Sequence, residues 1–280
     1  MRVLTFNCCA LPVLTGDIPA RLRRLGRELV VLAPDLILLQ EVFLARHLRL
    51  LKQALSSWPY SFFGPRTLRR HAGGLAIFSR YPLTGAKFFL YREQGSWIRY
   101  SALAKFSGKG YMAARLHHPS GADFKLVHTH MLADYRRPTK TGAGRRDPYQ
   151  VFQHGQIEEL RAFIGGMDRS EPVLLAGDFN LTPASDMMRR FLQRTGLGDS
   201  MAGVRTPSII GRKYYRVPFN RAPEKRLDYI LHRGGGSWRV RARKWRYVFA
   251  RPRKLADSRR VTLSDHRGVH IDLEVRHAGC

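Results

Sequence analysis

Several polar residues in this sequence fall where apolar runs stop. Val3–Phe6 leads into Asn7, and Leu36–Leu39 leads into Gln40 and Glu41. Leu126 and Val127 lead into His128 and His130, and Val173–Ala176 leads into Gly177-Asp178-Phe179-Asn180. Leu263-Ser264-Asp265-His266 stands just ahead of the alternating run Val269–Val275. Carboxylates are the ligands a hard divalent cation takes. An imidazole titrates near neutrality, which suits it to moving a proton. Amides donate to oxyanions. Singly, each residue also has a structural use, as a turn amide, a surface acid or a helix cap. Together they describe a site with metal ligands, an imidazole base and amide donors.

For such residues to meet, the apolar runs must be strands whose ends converge, because α/β folds place ligand sites at strand ends. Val3–Phe6, Leu36–Leu39, Gly74–Ser79 and Pro172–Ala176 read as buried strands. Segments 111–117 and 124–130 read as a hairpin turned at Pro119-Ser120-Gly121. Helices are predicted over 18–33, around Leu48, Leu51 and Leu55, over about 149–165 and over about 184–195. In the first, Leu22, Leu25, Leu29 and Leu32 share one face while Arg21, Arg23, Arg24 and Arg27 fall mostly off it, and Pro34-Asp35 ends it. Segments 227–231 and 238–249 are strand-like, with Arg239, Arg241 and Arg243 alternating onto a solvent face. Residues 203–225 read as irregular and basic. No repeat and no linker divides the chain, so one α/β domain over residues 1–280 is expected, with sheets inside and helices outside.

The chain has 280 residues, 44% of them hydrophobic, enough for a core and enough to exclude wholesale disorder. Its formal net charge of +28 concerns partners rather than fold. Anionic membranes and nucleic acids are the two polyanions such a surface suits. Cys8, Cys9 and Cys280 make a poor disulfide framework, an odd set with two members adjacent, and suit a reducing compartment. Arg2 is followed at once by the strand-like Val3–Phe6, which leaves no apolar signal segment. No apolar run reaches the ~18 residues of a membrane span. A cytoplasmic or peripheral-membrane location is expected.

The segments FNCCALP, LLQEVF, GLAIFSRYPL, VHTHMLADY, LLAGDFN, RLDYIL and LSDH occur in this order. As a set, and over essentially the whole chain, they resemble the exonuclease–endonuclease–phosphatase superfamily. Finer features are similar to the neutral sphingomyelinases: Leu11-Pro12 after Asn7-Cys8, the Arg-rich RLRRLG at 21–26, Thr129-His130-Met131 followed by Asp134-Tyr135, SGKG at 107–110 and HGQIEELRAFI at 154–164. The resemblance implies a DNase I-like four-layer α/β sandwich, in which two mixed β-sheets pack face to face with helices outside. It implies a Mg²⁺-dependent phosphodiesterase, with Mn²⁺ as a substitute ion, that hydrolyses sphingomyelin or a related phospholipid to phosphocholine and ceramide. A metal-dependent nuclease of the AP-endonuclease kind, acting on DNA or RNA, is the alternative, because it shares the same catalytic residues.

Carried over residue by residue, the resemblance makes Glu41 the principal metal ligand, with Asn7 holding the metal or its water and Asp265 touching it. His266 becomes the general base toward water. Asp178 orients or activates the reacting group, and Asp228 orients an imidazole or supports the site from behind. Asn180 and His130 donate to the phosphoryl oxygens. An extended segment around Phe179 would let Asp178 and Asn180 point the same way. His128 is expected to be structural. Lys109 resembles a lysine tied to substrate binding, although the acid that some relatives carry five residues earlier is Ala104 here. Arg136, Arg137, Lys140, Arg145 and Arg146, just downstream of His130, are expected to rim the site and meet anionic lipid or nucleic-acid phosphate. Trp97, Tyr100, Tyr214, Tyr215 and Phe219 are expected at an interface or in the core.

Overall fold

Leucine- and β-branched-rich runs of four to eight residues form the centre of the molecule, and amphipathic stretches wrap it. The computed structural model describes residues 1–12, 15–67, 70–95, 107–133, 148–210 and 225–279. The basic loop 136–147 and the aromatics Trp97, Tyr100, Tyr214, Tyr215 and Phe219 lie outside the described residues.

The helices are α1 (Ile18–Leu32), α2 (Ala45–Ala54), α3 (Pro148–Gly165) and α4 (Asp186–Thr195). α1 stops where predicted: Ala33 turns left-handed, its N–H reaches Leu29 O, and Pro34 follows. Ser185 caps α4 by accepting the Met188 N–H. The first strands are β1 (Arg2–Asn7), β2 (Leu36–Gln40), β3 (Tyr60–Phe63), β4 (Arg66–Thr67), β5 (Arg70–His71), β6 (Ala76–Ser79), β7 (Leu83–Leu90) and β8 (Gly110–His117). Then follow β9 (Asp123–His130), β10 (Val173–Asp178), β11 (Gly198–Asp199), β12 (Asp228–Arg233), β13 (Trp238–Val248), β14 (Arg253–Lys254), β15 (Arg260–Val261) and β16 (Gly268–His277). No helix among the described residues is long and apolar enough to cross a membrane.

Two six-stranded sheets result, ordered β13-β16-β1-β2-β6-β3 and β11-β12-β10-β9-β8-β7. Each is mixed, with β1–β2 and β9–β10 as the parallel pairs. Val3, Leu36, Leu38 and Ile271 of one sheet pack against Met112, Phe124, Leu126 and Leu174 of the other. α1 and α2 cover the outer face of the first sheet through Leu22, Leu25, Leu29, Leu48 and Leu51. α3 and α4 cover the second through Ile157, Leu160, Ile164, Met188 and Phe191. The order helix, sheet, sheet, helix is the four-layer sandwich expected.

Two details matter later. Arg21 is buried, contrary to its expected place on the solvent side of α1, because the chain after β1 and the chain before β16 both close over the start of the helix. β13 is an edge strand whose outward residues Arg239, Arg241, Arg243, Lys244 and Arg246 are exposed. Among the described residues, Arg239, Arg241, Lys244 and Arg246 have no carboxylate partner, whereas Arg243 and Arg276 bracket Glu274.

His128 ties the sheets together. Its ring nitrogens lie 3.0 Å from Ala176 O on β10 and 3.0 Å from Leu39 O on β2. Burial pulls its pKa from 6.5 down to about 4, against the pull of the two carbonyls. The unfolded chain therefore binds a proton that the folded chain refuses. This stability is complete above the unfolded value and is lost as pH falls from 6.5 toward 4. Wild-type folding stability should drop by about 2 kcal/mol more than that of His128→Gln between about pH 7 and pH 5. Urea unfolding of both chains across that range checks this; parallel pH profiles would remove His128 as the cause.

Candidate active site

The parallel pairing of β1 and β2 puts Asn7 and Gln40 side by side at one end of their sheet. Glu41 follows in a left-handed conformation (φ 62°), which turns the chain as it leaves β2. In the other sheet, Asp178 is flanked in register by His130 on β9 and Asp228 on β12. The Asp265-His266 pair arrives just ahead of β16, the antiparallel neighbour of β1. Each sheet thus delivers its polar residues to one end, and the face-to-face packing makes those ends meet.

Asn7 makes the junction. Its Nδ2 donates to Asp178 Oδ2 at 3.0 Å and lies 3.3 Å from Glu41 Oε1, while its Oδ1 accepts the Cys9 N–H at 2.9 Å. His266 is clamped from the opposite side. Its Nδ1 lies 2.8 Å from Asp228 Oδ2, which fixes the proton there and leaves Nε2 facing Asp178 Oδ2 at 3.8 Å and Asp265 Oδ1 at 4.0 Å. Ser208 holds Asp228 in turn, its Oγ accepting the N–H groups of Leu227 and Asp228. His130 Nε2 lies 3.6 Å from Asp178 Oδ2 and 3.9 Å from Glu41 Oε1. The Lys109 ammonium packs on its edge, 2.7 Å from Nε2.

This many ionisable groups in a buried space shift one another. Burial, and then the neighbouring Asp228 charge, raise the Asp178 carboxyl to about 7. Burial raises Glu41 as well, with Lys109 opposing it. Burial pulls the Lys109 ammonium down to about 8 against the pull of Glu41 and Asp178. His130 falls well below its ordinary value through burial and the Lys109 charge. His266 moves the other way: burial disfavours its proton, but Asp228, Asp265 and Asp178 together raise it well above 6.5. The near-neutral titration expected of that imidazole is therefore absent from the protein alone.

A divalent cation fits here. Glu41 Oε2 is buried without a hydrogen-bond partner, and Glu41 and Asp265 sense each other's charge. A buried, half-satisfied carboxylate beside a second acid is a group that a cation completes. Asp178, Asp228 and His266 also place ligand atoms within 4.8 Å of one another. Two members of that trio, Asp228 and His266, are already joined by a hydrogen bond, so Glu41, with its unpartnered Oε2, is the better anchor.

Asn7, Glu41, Lys109, His130, Asp178, Asp228, Asp265 and His266 are brought together here and Asn180 adjoins Asp178, while the basic residues expected to rim the site lie outside the described residues. One local expectation fails. Asn180 is not extended but left-handed (φ 52°), and its N–H bonds Asp178 Oδ1 at 2.9 Å. Its side-chain NH₂ donates to Met131 O at 2.9 Å. One N–H and Oδ1 of that amide stay available for a ligand. The sequence alone did not point to Ser208, in an irregular stretch, or to Gln153, whose amide holds the carbonyls of Leu132 and Asn180.

Gly177, inside β10, is what lets that strand lie against β9 just ahead of Asp178. It sits at φ 151°, and a Cβ there would lie 1.9 Å from Thr129 O on the adjoining strand. Gly177→Ala should cost about 3 kcal/mol of stability by prising β10 from β9, and should move Asp178 with it. A urea midpoint unchanged from wild type would refute that close approach.

A family model described as the Endonuclease/Exonuclease/phosphatase family matches residues 4–266. The chain is 31% identical over 187 residues to "Inositol phosphosphingolipids phospholipase C" of Schizosaccharomyces pombe, covering 66% of this chain and 42% of that protein. It is 27% identical over 290 residues to "Sphingomyelin phosphodiesterase 2" of Homo sapiens, covering 99% of this chain and 65% of that protein. The chain therefore spans only part of the length of these relatives. A crystal structure of beta toxin from Staphylococcus aureus with bound magnesium ions superposes with a TM-score of 0.69 at 16% identity, covering 96% of this chain and 98% of that one.

Proposed function

The chain belongs to the endonuclease/exonuclease/phosphatase family, and from that premise we propose that it is a divalent-metal-dependent phosphodiesterase hydrolysing sphingomyelin or a related phospholipid in the manner of a phospholipase C. What carries the reading is the unpartnered Glu41 Oε2 set across Asn7 from Asp178 and the Asp228–His266 pair. The similarity to sphingolipid phosphodiesterases supports the substrate class. Residues 1–280 are read as one catalytic domain.

His266 is the proton acceptor. Asp228 holds the Nδ1 proton, so Nε2 is the nitrogen that takes a proton from the attacking water. Asp178 lies beside that nitrogen and orients the water. Asn180, through its remaining amide N–H, and His130, backed by the Lys109 ammonium, face the phosphoryl oxygens and stabilise the charge that builds there. Glu41, Asn7 and Asp265 would hold Mg²⁺ or Mn²⁺. Such a cation would supply charge neutralisation for a phosphoryl oxygen and for the departing alkoxide, and would offset the carboxylates that load His266 with a proton. Water adds to phosphorus as its proton passes to His266, the bond to ceramide oxygen breaks, and the departing alkoxide takes a proton from solvent while His266 gives its own up, so that phosphocholine and ceramide leave. The basic surface is read as peripheral contact with an anionic membrane.

The test is a paired assay with Mg²⁺ and with EDTA, on sphingomyelin–detergent micelles and on an abasic-site DNA duplex. Phosphocholine release that EDTA abolishes is expected. DNA cleavage without lipid turnover would instead assign the same residues to a nuclease.

A further inference from the structure

The Arg-rich start of α1 has no part in the chemistry above, yet one of its arginines is buried against the site. We propose that Arg21 is a positioning residue that locks together the two loops carrying the metal ligands and the base; the roles of those loops rest on the function proposed above.

All five N–H donors of a guanidinium are used. Nη1 donates to Cys8 O at 3.0 Å and to Leu263 O at 2.6 Å. Nη2 donates to Cys9 O at 2.9 Å and to Thr15 Oγ1 at 3.3 Å, and Nε donates to Gly16 O at 3.1 Å. The hydroxyl of Thr15 returns to Cys9 O and Leu11 O. No carboxylate takes part, so this is no surface ion pair turned inward. Apart from the Thr15 hydroxyl, its acceptors are backbone carbonyls of two segments far apart in sequence. One follows Asn7, whose Oδ1 is bonded to the Cys9 N–H. The other leads into Asp265 and His266, stiffened by Ser264 Oγ, which accepts the His266 N–H and bonds Asp265.

Nη1 alone joins the two segments, since Cys8 O and Leu263 O share it. A planar fork can span them; a lysine, with three donors on one atom, cannot reach all five acceptors. Cys9 needs such an anchor, because its backbone is left-handed (φ 44°) without being glycine. Distances across a reacting centre tolerate little slack, and an ångström of drift between Asn7 and His266 would separate the metal ligands from the base.

Three chains decide this: Arg21→Met, Arg21→Lys, and Arg23→Met as a control on the exposed face of the same helix. Arg21→Met should lose about 100-fold in kcat on sphingomyelin micelles, with KM changed by no more than about threefold. It should bind Mn²⁺ about 10-fold more weakly in a titration followed by electron paramagnetic resonance. Amide exchange should accelerate by about 10-fold in residues 7–11 and 262–267, and not in β9 or β10. Arg21→Lys should recover less than about a tenth of the lost rate, since it keeps the charge but not the fork. Arg23→Met should match wild type.

Wild-type exchange in both loops, equal acceleration throughout the sheets, or full activity and Mn²⁺ binding in Arg21→Lys would each overturn the proposal. So would failure of both Arg21 variants to fold, which would make the residue purely structural. If wild type turns over no sphingomyelin, the proposed function falls, and Arg21 is still judged by exchange and Mn²⁺ affinity.

Discussion

His266→Ala is expected to lower kcat by about four orders of magnitude while leaving substrate affinity within a few-fold of wild type. The imidazole is buried, its Nδ1 proton is pinned at 2.8 Å by Asp228, and Nε2 is its remaining basic atom. Alanine removes that atom and leaves Asp228 buried with both oxygens unpartnered, since Oδ1 already has no hydrogen bond. No other imidazole stands ready to replace it. His130 is held by Lys109 and resists protonation, and His128 is engaged by two backbone carbonyls. Phosphocholine release measured in single turnover, with vesicle sedimentation for binding and circular dichroism for folding, separates the outcomes. Substantial turnover by a folded His266→Ala chain would remove His266 as the base. Binding lost in step with turnover would assign it to substrate contact instead.

Glu41→Gln should act with opposite sign on activity and on stability. The neutral amide keeps the shape and the contact with Asn7 Nδ2 but cannot charge-balance a dication, so activity at a fixed Mg²⁺ concentration should fall by about three orders of magnitude. Without metal, the same change removes a buried carboxylate whose Oε2 has no partner. Metal-free Glu41→Gln should therefore be more stable than metal-free wild type by about 1–2 kcal/mol. Added Mn²⁺ should raise the melting temperature of wild type and leave that of the variant unmoved. A variant that is less stable without metal, or that still gains stability from Mn²⁺, would place the cation elsewhere.

Much of this arrangement is legible in the sequence, because strand ends advertise themselves. An apolar run that stops at Asn7, at Glu41 or at Asp178 marks both the strand and the place where its polar end must go. With β9, β10 and β12 adjacent, burial of the apolar residues behind them sets a register that aligns His130, Asp178 and Asp228. What stays hidden is whatever depends on a partner distant in the chain. Arg21 sits off the leucine stripe of α1 and looks solvated, and only the loops from residues 8–9 and 263 bury it. Asn180 is the exception, because its partner is local: it looks extended beside Phe179, but the Asp178 carboxylate two residues back accepts its N–H and its backbone is left-handed. Ser208 carries no local mark at all, because its hydroxyl acts on backbone about twenty residues further along the chain. The inverted titration of His266 is hidden for the same reason, since it takes three carboxylates from different segments to hold the proton there.

The arginine ladder on β13 bears on how copies of this protein behave toward one another. An edge strand offers unpaired N–H and C=O groups to any second strand, and two such edges would bring their side chains to about 5 Å. At that spacing the facing arginines repel, and monovalent salt does little to help, because the screening length at 0.1 M is about 10 Å. Dispersal should therefore survive ordinary ionic strength. A flexible polyphosphate added near charge balance is a different matter: one polymer can bind two ladders at once, and turbidity should peak at that ratio and clear again in excess polymer.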